Sequence, residues 1–260
     1  MKLHIDHSFI ELRRFVESLP HDFARTGELL HDGRNTIRAF DTGAGRLVVK
    51  RYRRPNLFNR IVYTFFRKSK AQRAYEHAER LLAAGIDTPQ PVAWLETRRR
   101  GLLEDAWFVC RHTDYESPSS ATTRFPAADT LPVLKAFARY AATLHAKGVL
   151  HDDFNHGNIL YRRDPAGEYR FQLIDANRMR FRRRVGRRAA LVNLRRLSCP
   201  GPAFLYILDA YSEACGWSSD DTVLRGVVFR LLFRRRQRVK AGLKQRLRKN
   251  GRKNGAANLE

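Results

Sequence analysis

The segment His151-Asp152-Asp153-Phe154-Asn155-His156-Gly157-Asn158 constrains this chain more than any other. An amphipathic pattern from Leu131 to Lys147 precedes it and stops at Gly148. The apolar run Ile159-Leu160-Tyr161 follows, and Asp175 lies seventeen residues beyond Asn158, closing the run FQLID. A polar octet with a helix before it and short apolar strands after it reads as a structured loop. Phosphoryl transfer needs a carboxylate near the acceptor hydroxyl and oxygen ligands that hold Mg²⁺ on the phosphates of ATP. An Asp, an Asn five residues later and a second Asp after a strand supply these parts. The kinase catalytic loop has the form H-x-D-x-x-x-x-N, and the second Asp opens D-F-G. Asp153 and Asn158 match that spacing, whereas Asp152 does not. Asp175 takes the D-F-G position, with Ala176 and Asn177 in place of Phe and Gly. A metal ligand at this position requires only the Asp. The substitution argues against an activation switch of the protein-kinase kind. Asp153 is therefore the expected catalytic base, with Asn158 and Asp175 as ligands of Mg²⁺ and ATP as the nucleotide.

Lys50 ends the apolar strand RLVVK about one hundred residues before this loop. That is where a kinase places the ammonium that contacts the α- and β-phosphates. Such a Lys requires a Glu from the following helix, and Glu76 and Glu79 both qualify, three residues apart on one helix. His31-Asp32-Gly33-Arg34-Asn35 stands where a phosphate-covering loop belongs. It has one glycine, so nucleotide contact there is expected through backbone N–H groups near Gly33.

The 260 residues suit one compact domain or two lobes. Met1 to about Pro20 reads as a short mixed segment. NTIRAF and RLVVKRY flank a Gly-rich turn and read as a hairpin. Lys70 to Ala84 reads as a helix stopped by Gly85. VAWLE and AWFVC read as strands, and the Pro- and Ser-rich stretch after Arg111 as a linker. The expected domains are an N-lobe over 1–112, a linker over 113–128, a C-lobe over 129–248 and a basic, disordered tail over 249–260. The three cysteines show no metal-ligand spacing and read as reduced thiols. The N-terminus has no apolar run before a cleavage site, so no signal peptide is expected, and no apolar run is long enough to span a bilayer.

The formal net charge is +24, which calls for an anionic partner. Residues 51–73, 178–196 and 224–254 carry thirty of the fifty Lys and Arg and contain no Asp or Glu. In the last segment Val227, Val228, Leu231 and Leu232 share a helical face among the Arg residues, a pattern that suits an anionic membrane surface.

The chain resembles the lipopolysaccharide kinases, the Kdo kinase and heptose kinase family of the protein-kinase-like fold. VVKRY, KAQRAYEHAERLLAAGIDTPQPVAW, LHAKGVLHDDFNHGNILY and LIDANRMRF carry the likeness, which covers roughly residues 30–185. The resemblance implies a bilobal α+β fold, with a small β-rich N-lobe holding one key helix and a larger helical C-lobe. It implies that Lys50 binds ATP, that Asp153 is the base, and that Asn158 and Asp175 hold Mg²⁺. It favours Glu76 over Glu79 as the partner of Lys50, although Ala74 stands where related kinases place that Glu. It also implies a lipopolysaccharide or lipid A core acceptor, an anionic membrane surface as partner, and a peripheral location on the inner face of the cytoplasmic membrane. Asp152 departs from the family's H-G-D.

Two rival readings share these residues. One is another small-molecule or protein kinase of the same fold, although no A-P-E follows Asp175. The other is a non-catalytic scaffold that binds nucleic acid or membrane through its charge. Such a scaffold would have no use for Lys50, Asp153, Asn158 and Asp175 together, and no nucleic acid is expected.

Overall fold

The computed structural model describes residues 1–256, with side chains as far as Gln245 apart from Ser120 and Lys244. The chain forms two compact units. One is Met1–Pro118 with His151–Phe181, and the other is Ser119–Leu150 with the residues from Arg182 onward. The expected boundary between 112 and 129 left residues 151–181 in the C-lobe. In the structure they group with the N-terminal residues, where the turn just after Asp175 packs on the helix 70–83.

The first unit begins with β1 (Lys2–Ile5), a 3-10 segment over His7–Leu12 and α1 (Arg13–Asp22). β2 (Glu28–Asp32), β3 (Thr36–Thr42) and β4 (Gly45–Tyr52) follow. Next come α2 (Leu57–Ile61), which runs into a π-helical turn over Val62–Phe66, and α3 (Lys70–Ala83). β5 (Pro91–Arg99) and β6 (Leu102–Arg111) complete a six-stranded sheet of order β1-β5-β6-β4-β3-β2. Every pairing in it is antiparallel. The hairpin legible in the sequence is β3–β4, closed at Thr42 opposite Gly45.

Strand period decides which side chains meet which layer. Leu47 and Val49 of β4 join Val92, Leu95, Trp107 and Val109 on one face of the sheet. Phe9, Leu12, Val16, Leu19 and Phe23 cover that face. The first twenty residues, read from sequence as a short mixed segment, are thus a structural layer on the sheet. Their apolar residues recur at helical spacing, a signal diluted by Arg13, Arg14 and Glu17. On the opposite face Tyr52, Trp94 and Ala106 meet Ala71, Ala74 and Tyr75 of α3. Burial of each large side chain here contributes about 1.5–3 kcal/mol, so the helix is held by its packing.

Ser69 caps α3, its hydroxyl accepting from the Gln72 N–H at 3.1 Å. Gly85 ends the helix at φ 63°, a left-handed backbone that glycine adopts without a Cβ penalty. The N–H groups of Gly85 and Ile86 then reach the carbonyls of Leu82 and Leu81, both at 2.9 Å.

α4 (Ser119–Thr123), α5 (Thr130–Ala146) and the short β7 (Val149–His151) come next. β8 (Ile159–Arg163), β9 (Tyr169–Leu173) and β10 (Met179–Phe181) return to the first unit, where β8 pairs antiparallel with β9. The second unit is helical. α5 packs with α7 (Gly201–Cys215), which packs with α8 (Ser219–Ala256), while α6 (Arg187–Leu194) also lies on α8. Gly148 stops α5 at φ 77°, and a Cβ there would lie 1.9 Å from the Arg182 carbonyl oxygen. α8 continues through the first residues of the expected tail, and residues 257–260 of that tail lie outside the described ones. The helix–sheet division is that of an α+β protein, as the sequence implied. None of the helices searched is long and apolar enough to cross a membrane.

His145 of α5 is buried in the second unit. Its Nδ1 meets the Tyr211 hydroxyl at 2.8 Å and its Nε2 meets Asn193 Oδ1 at 3.2 Å. Burial pushes its pKa down to about 4, against a smaller upward pull from Asn193. Below its ordinary value of about 6.5, the unfolded chain takes up a proton here that the folded chain refuses. Stability should therefore be flat in this group above about pH 6.5 and fall by up to roughly 3 kcal/mol towards pH 4. Urea unfolding of the native chain and of His145→Gln across that window checks this, and the variant should lose this part of the slope.

Candidate active site

Asp153, Asn158, Asp175 and Lys50 all lie in the first unit. A cavity of about 470 Å³ is lined there by Lys50, Asn158 and Asp175 on its polar side. Ile37, Val48, Phe108, Leu160 and Ile174 are among its apolar walls. That size and mixture suit a small organic ligand with one charged end. A larger cavity of about 640 Å³ lies in the second unit, against Arg139, His145 and Trp217. None of the four residues borders it.

His151 organises the loop. Its ring is buried, its Nδ1 accepts the Asp153 N–H at 3.0 Å, and its Nε2 donates to the Ile174 carbonyl at 3.1 Å. Burial pushes its pKa down despite its bond to the Ile174 carbonyl and the neighbouring carboxylates. A neutral imidazole with its proton on Nε2 fits both bonds. Asp153 is thereby tied to the residue preceding Asp175. The Asn158 amide nitrogen donates to the Asp153 carbonyl at 2.9 Å, and the Asn158 carbonyl accepts the Ile174 N–H at 3.0 Å. This uses the nitrogen of the Asn158 amide and leaves its oxygen as the group able to bind a cation.

Asp153 is the more open carboxylate, its side chain 41% exposed. Its Oδ1 accepts from Asn155 at 3.1 Å, and Arg178 stands 3.7 Å from its Oδ2. The neighbouring Asp152 pairs with Arg180 at 2.5 Å, so its charge is answered locally.

Asp175 adopts φ 57° and ψ 45°, a left-handed backbone that Asp tolerates better than most residues. Its Oδ1 accepts from Lys50 Nζ at 2.6 Å and also from Asn177. Burial raises its pKa, but the Lys50 charge and hydrogen bond, His151 and Asn177 outweigh that. Together they hold the carboxyl below the usual range. An ionised Asp and an Asn amide oxygen lining one cavity are the kinds of donor that a hard divalent cation bridging phosphates accepts.

The structure separates the remaining expected residues from this group. Glu76 does not reach Lys50. Its carboxylate binds Lys68 at 2.7 Å and Gln72 at 3.0 Å. The α3 face that meets the Asp175 turn instead carries Arg73 and His77, one helical turn apart. Arg73 donates to the Asn177 carbonyl at 3.1 Å and His77 Nδ1 to the Ala176 carbonyl at 2.7 Å. Lys50 therefore has Asp175 as its carboxylate partner. Gly33 sits in the β2–β3 turn outside the cavity lining, to which that hairpin contributes Leu30, His31 and Ile37.

Residue-by-residue reading overlooked Arg73 and His77. Their signal was two polar residues four apart beside the small Ala74 and Ala78. The stretch after α3, expected only as an extended connection into a strand, also braces β9. Thr88 is buried and donates to the Leu173 carbonyl at 2.6 Å, while Asp87 accepts from Tyr115 at 2.9 Å and Gln172 at 3.1 Å. The stretch GIDTPQP thus holds β9 in line with Asp175. The cysteines are free, and burial pushes the Cys110 thiol up to about 12.

The model of the lipopolysaccharide kinase (Kdo/WaaP) family matches residues 25–201, more than half of the chain. Among solved structures, one described as WaaP in complex with acyl carrier protein superposes with a TM-score of 0.60. It is 18% identical, and the alignment covers 92% of this chain and 99% of that one. At that identity the likeness speaks for the fold alone. No curated protein matches this chain. The chain belongs to the lipopolysaccharide kinase (Kdo/WaaP) family.

Proposed function

We propose that this kinase transfers the γ-phosphate of ATP to a hydroxyl of an inner-core sugar of lipopolysaccharide, Kdo or heptose. The observation that carries the reading is the convergence of Lys50, Asn158 and Asp175 on one cavity, with Asp153 tied to them through His151 and Asn158.

The apolar walls Ile37, Val48, Phe108 and Leu160 suit the adenine, and Lys50 suits the α- and β-phosphates. The β2–β3 hairpin would contact the nucleotide through Leu30, His31 and Ile37 rather than through Gly33. Asn158 and Asp175 would hold Mg²⁺, which when bound supplies charge neutralisation along the triphosphate. Asp153 accepts the proton of the acceptor hydroxyl as its oxygen attacks the γ-phosphorus. The bond from that phosphorus to the bridging oxygen breaks, and ADP leaves. Asn155 and Arg178 hold the Asp153 carboxylate in place, and positioning supplies most of the acceleration.

The acceptor is expected to be lipid-borne, so the protein would work at an anionic membrane surface. α8 supports this with Leu224, Val228, Leu231, Val239 and Leu243 exposed among its Arg residues. The apolar side chains at 231–243 lie beyond Arg230, whose guanidinium is buried against the Cys199 carbonyl. Binding to anionic vesicles should fall about tenfold or more as salt rises from about 0.05 to 0.5 M. Co-sedimentation measures this, and salt-independent binding would refute a charge-driven attachment.

ATP turnover with a Kdo-containing lipid A acceptor tests the catalytic roles. Asp153→Asn should lose roughly 10²–10⁴-fold in kcat while keeping its urea midpoint. Asp175→Ala should abolish turnover. Native-like rates in either variant would overturn the assignment. Glu76→Gln should change the KM for ATP by no more than about twofold, since an exposed pair with Lys68 is worth about 0–1 kcal/mol. A tenfold rise would return Glu76 to the nucleotide site.

A further inference from the structure

The segment after β4 leaves an apolar surface that nothing in the catalytic site uses. α2 and the π-helical turn expose Leu57 at 63%, Phe58 at 73%, Ile61 at 40%, Phe65 at 69% and Phe66 at 82%. Other exposed apolar side chains of this unit, such as Ile10, Leu29 and Leu82, are scattered, whereas these five fall within ten residues. The exposure is not that of a frayed loop, because the other side of the segment is fastened. Arg60 Nε donates to the Leu103 carbonyl at 2.7 Å. The Thr64 hydroxyl donates to the Arg60 carbonyl at 2.6 Å and accepts the Leu103 N–H at 2.9 Å. Asn56 caps the first turn through the Asn59 N–H at 2.9 Å. Arg60 and Thr64, four residues apart, anchor the segment to β6, and Leu57, Phe58, Ile61, Phe65 and Phe66 stay exposed on the anchored segment.

Residues 51–75 contain no Asp or Glu. Beside this ridge Arg51, Arg54 and Lys68 are paired with Asp105, Glu104 and Glu76 from outside the stretch. Arg53 and Arg67 are exposed at the two ends of the ridge, and neither has a carboxylate partner among the described residues. A partner must therefore be apolar in its depth and anionic at its surface. An anionic bilayer is layered in that way, with acyl chains beneath phosphate headgroups. A second copy of the chain is a poor fit, because a two-fold contact would bring the ridge and its arginines against their own equivalents.

We infer that residues 57–66 are a membrane-insertion element, with Phe58, Phe65 and Phe66 entering the acyl region of an anionic bilayer while Arg53 and Arg67 bind headgroup phosphates. The inference rests on the reading that the acceptor is lipid-borne, and it is separate from attachment through α8. It gives the catalytic unit its own hold on the surface.

The test uses the full chain and vesicles of equal parts phosphatidylcholine and phosphatidylglycerol, without ATP or acceptor. Phe58→Ser/Phe65→Ser/Phe66→Ser should keep the native urea midpoint, since these rings are exposed. It should lower vesicle partitioning roughly tenfold or more. In a second arm, Phe66→Trp should shift its emission to the blue on vesicle binding and be quenched by lipids brominated along the acyl chain. Native partitioning by the triple variant, or no quenching of the Phe66→Trp protein when bound, would overturn the inference. So would self-association of the native chain that the triple variant loses while its vesicle binding is unchanged, which would make the ridge an interface between copies. Asp153→Asn should bind vesicles as the native chain does. A dead kinase that still inserts would remove the catalytic reading and keep this one, and turnover without insertion would do the reverse.

Discussion

Each residue from Leu173 to Asn177 is held by a hydrogen bond, Asp175 through its side chain and the others through their backbone, and the rest of the site is arranged around them. Leu173 receives Thr88 on its carbonyl and gives its N–H to Asp87. Ile174 is held by Asn158 through its N–H and by His151 through its carbonyl. Asp175 is held by Lys50, Ala176 by His77 and Asn177 by Arg73. The left-handed backbone of Asp175 is tolerable because its neighbours leave it no cheaper alternative. These contacts come from α3, β4, the loop after α3 and the loop after β7. One five-residue stretch thus collects groups from much of the first unit.

This explains which parts of the site could be read from the sequence. The octet 151–158, Lys50 and Asp175 were legible because their chemistry demands particular residue types at particular spacings. The sheet was legible too, since β4, β5 and β6 carry β-branched and aromatic residues between clear turns, and Gly85 and Gly148 punctuate the helices. The N-terminal layer was missed because its apolar residues are spread thinly among charges. Glu76 was a residue of the right type on the right helix, but sequence spacing fixes only which helical face a side chain shares. It cannot say which neighbour is nearer, and Lys68 lies within reach whereas Lys50 does not. The tie from Arg73 and His77 to carbonyls a hundred residues away leaves no local trace, because a backbone carbonyl is present at every position.

The pairing of Lys50 with Asp175 also has an energetic side. Both side chains are largely buried, 15% and 22% exposed, and desolvation opposes both charges. Removing either partner would leave the other uncompensated, whereas together they keep a cation and an anion ready where a polyanion and its counter-ion would each need one. Lys50 sits opposite Phe108 in the ladder, so the charge lies beside an apolar wall. The cavity is divided into an uncharged part and an ionic part by adjacent strands of one sheet.

The layer made by the first twenty-three residues bears on how short a working version of this protein can be. The family match begins at residue 25, after Phe9, Leu12, Val16, Leu19 and Phe23 have already covered the sheet. It ends at residue 201, where α7 begins. A fragment cut to those limits would keep every residue discussed for catalysis. It would nonetheless present Leu47, Val49, Leu95, Trp107 and Val109 to water and lose the partners of α5. What is shared across the family and what folds as a minimal fragment are different lengths of the same chain.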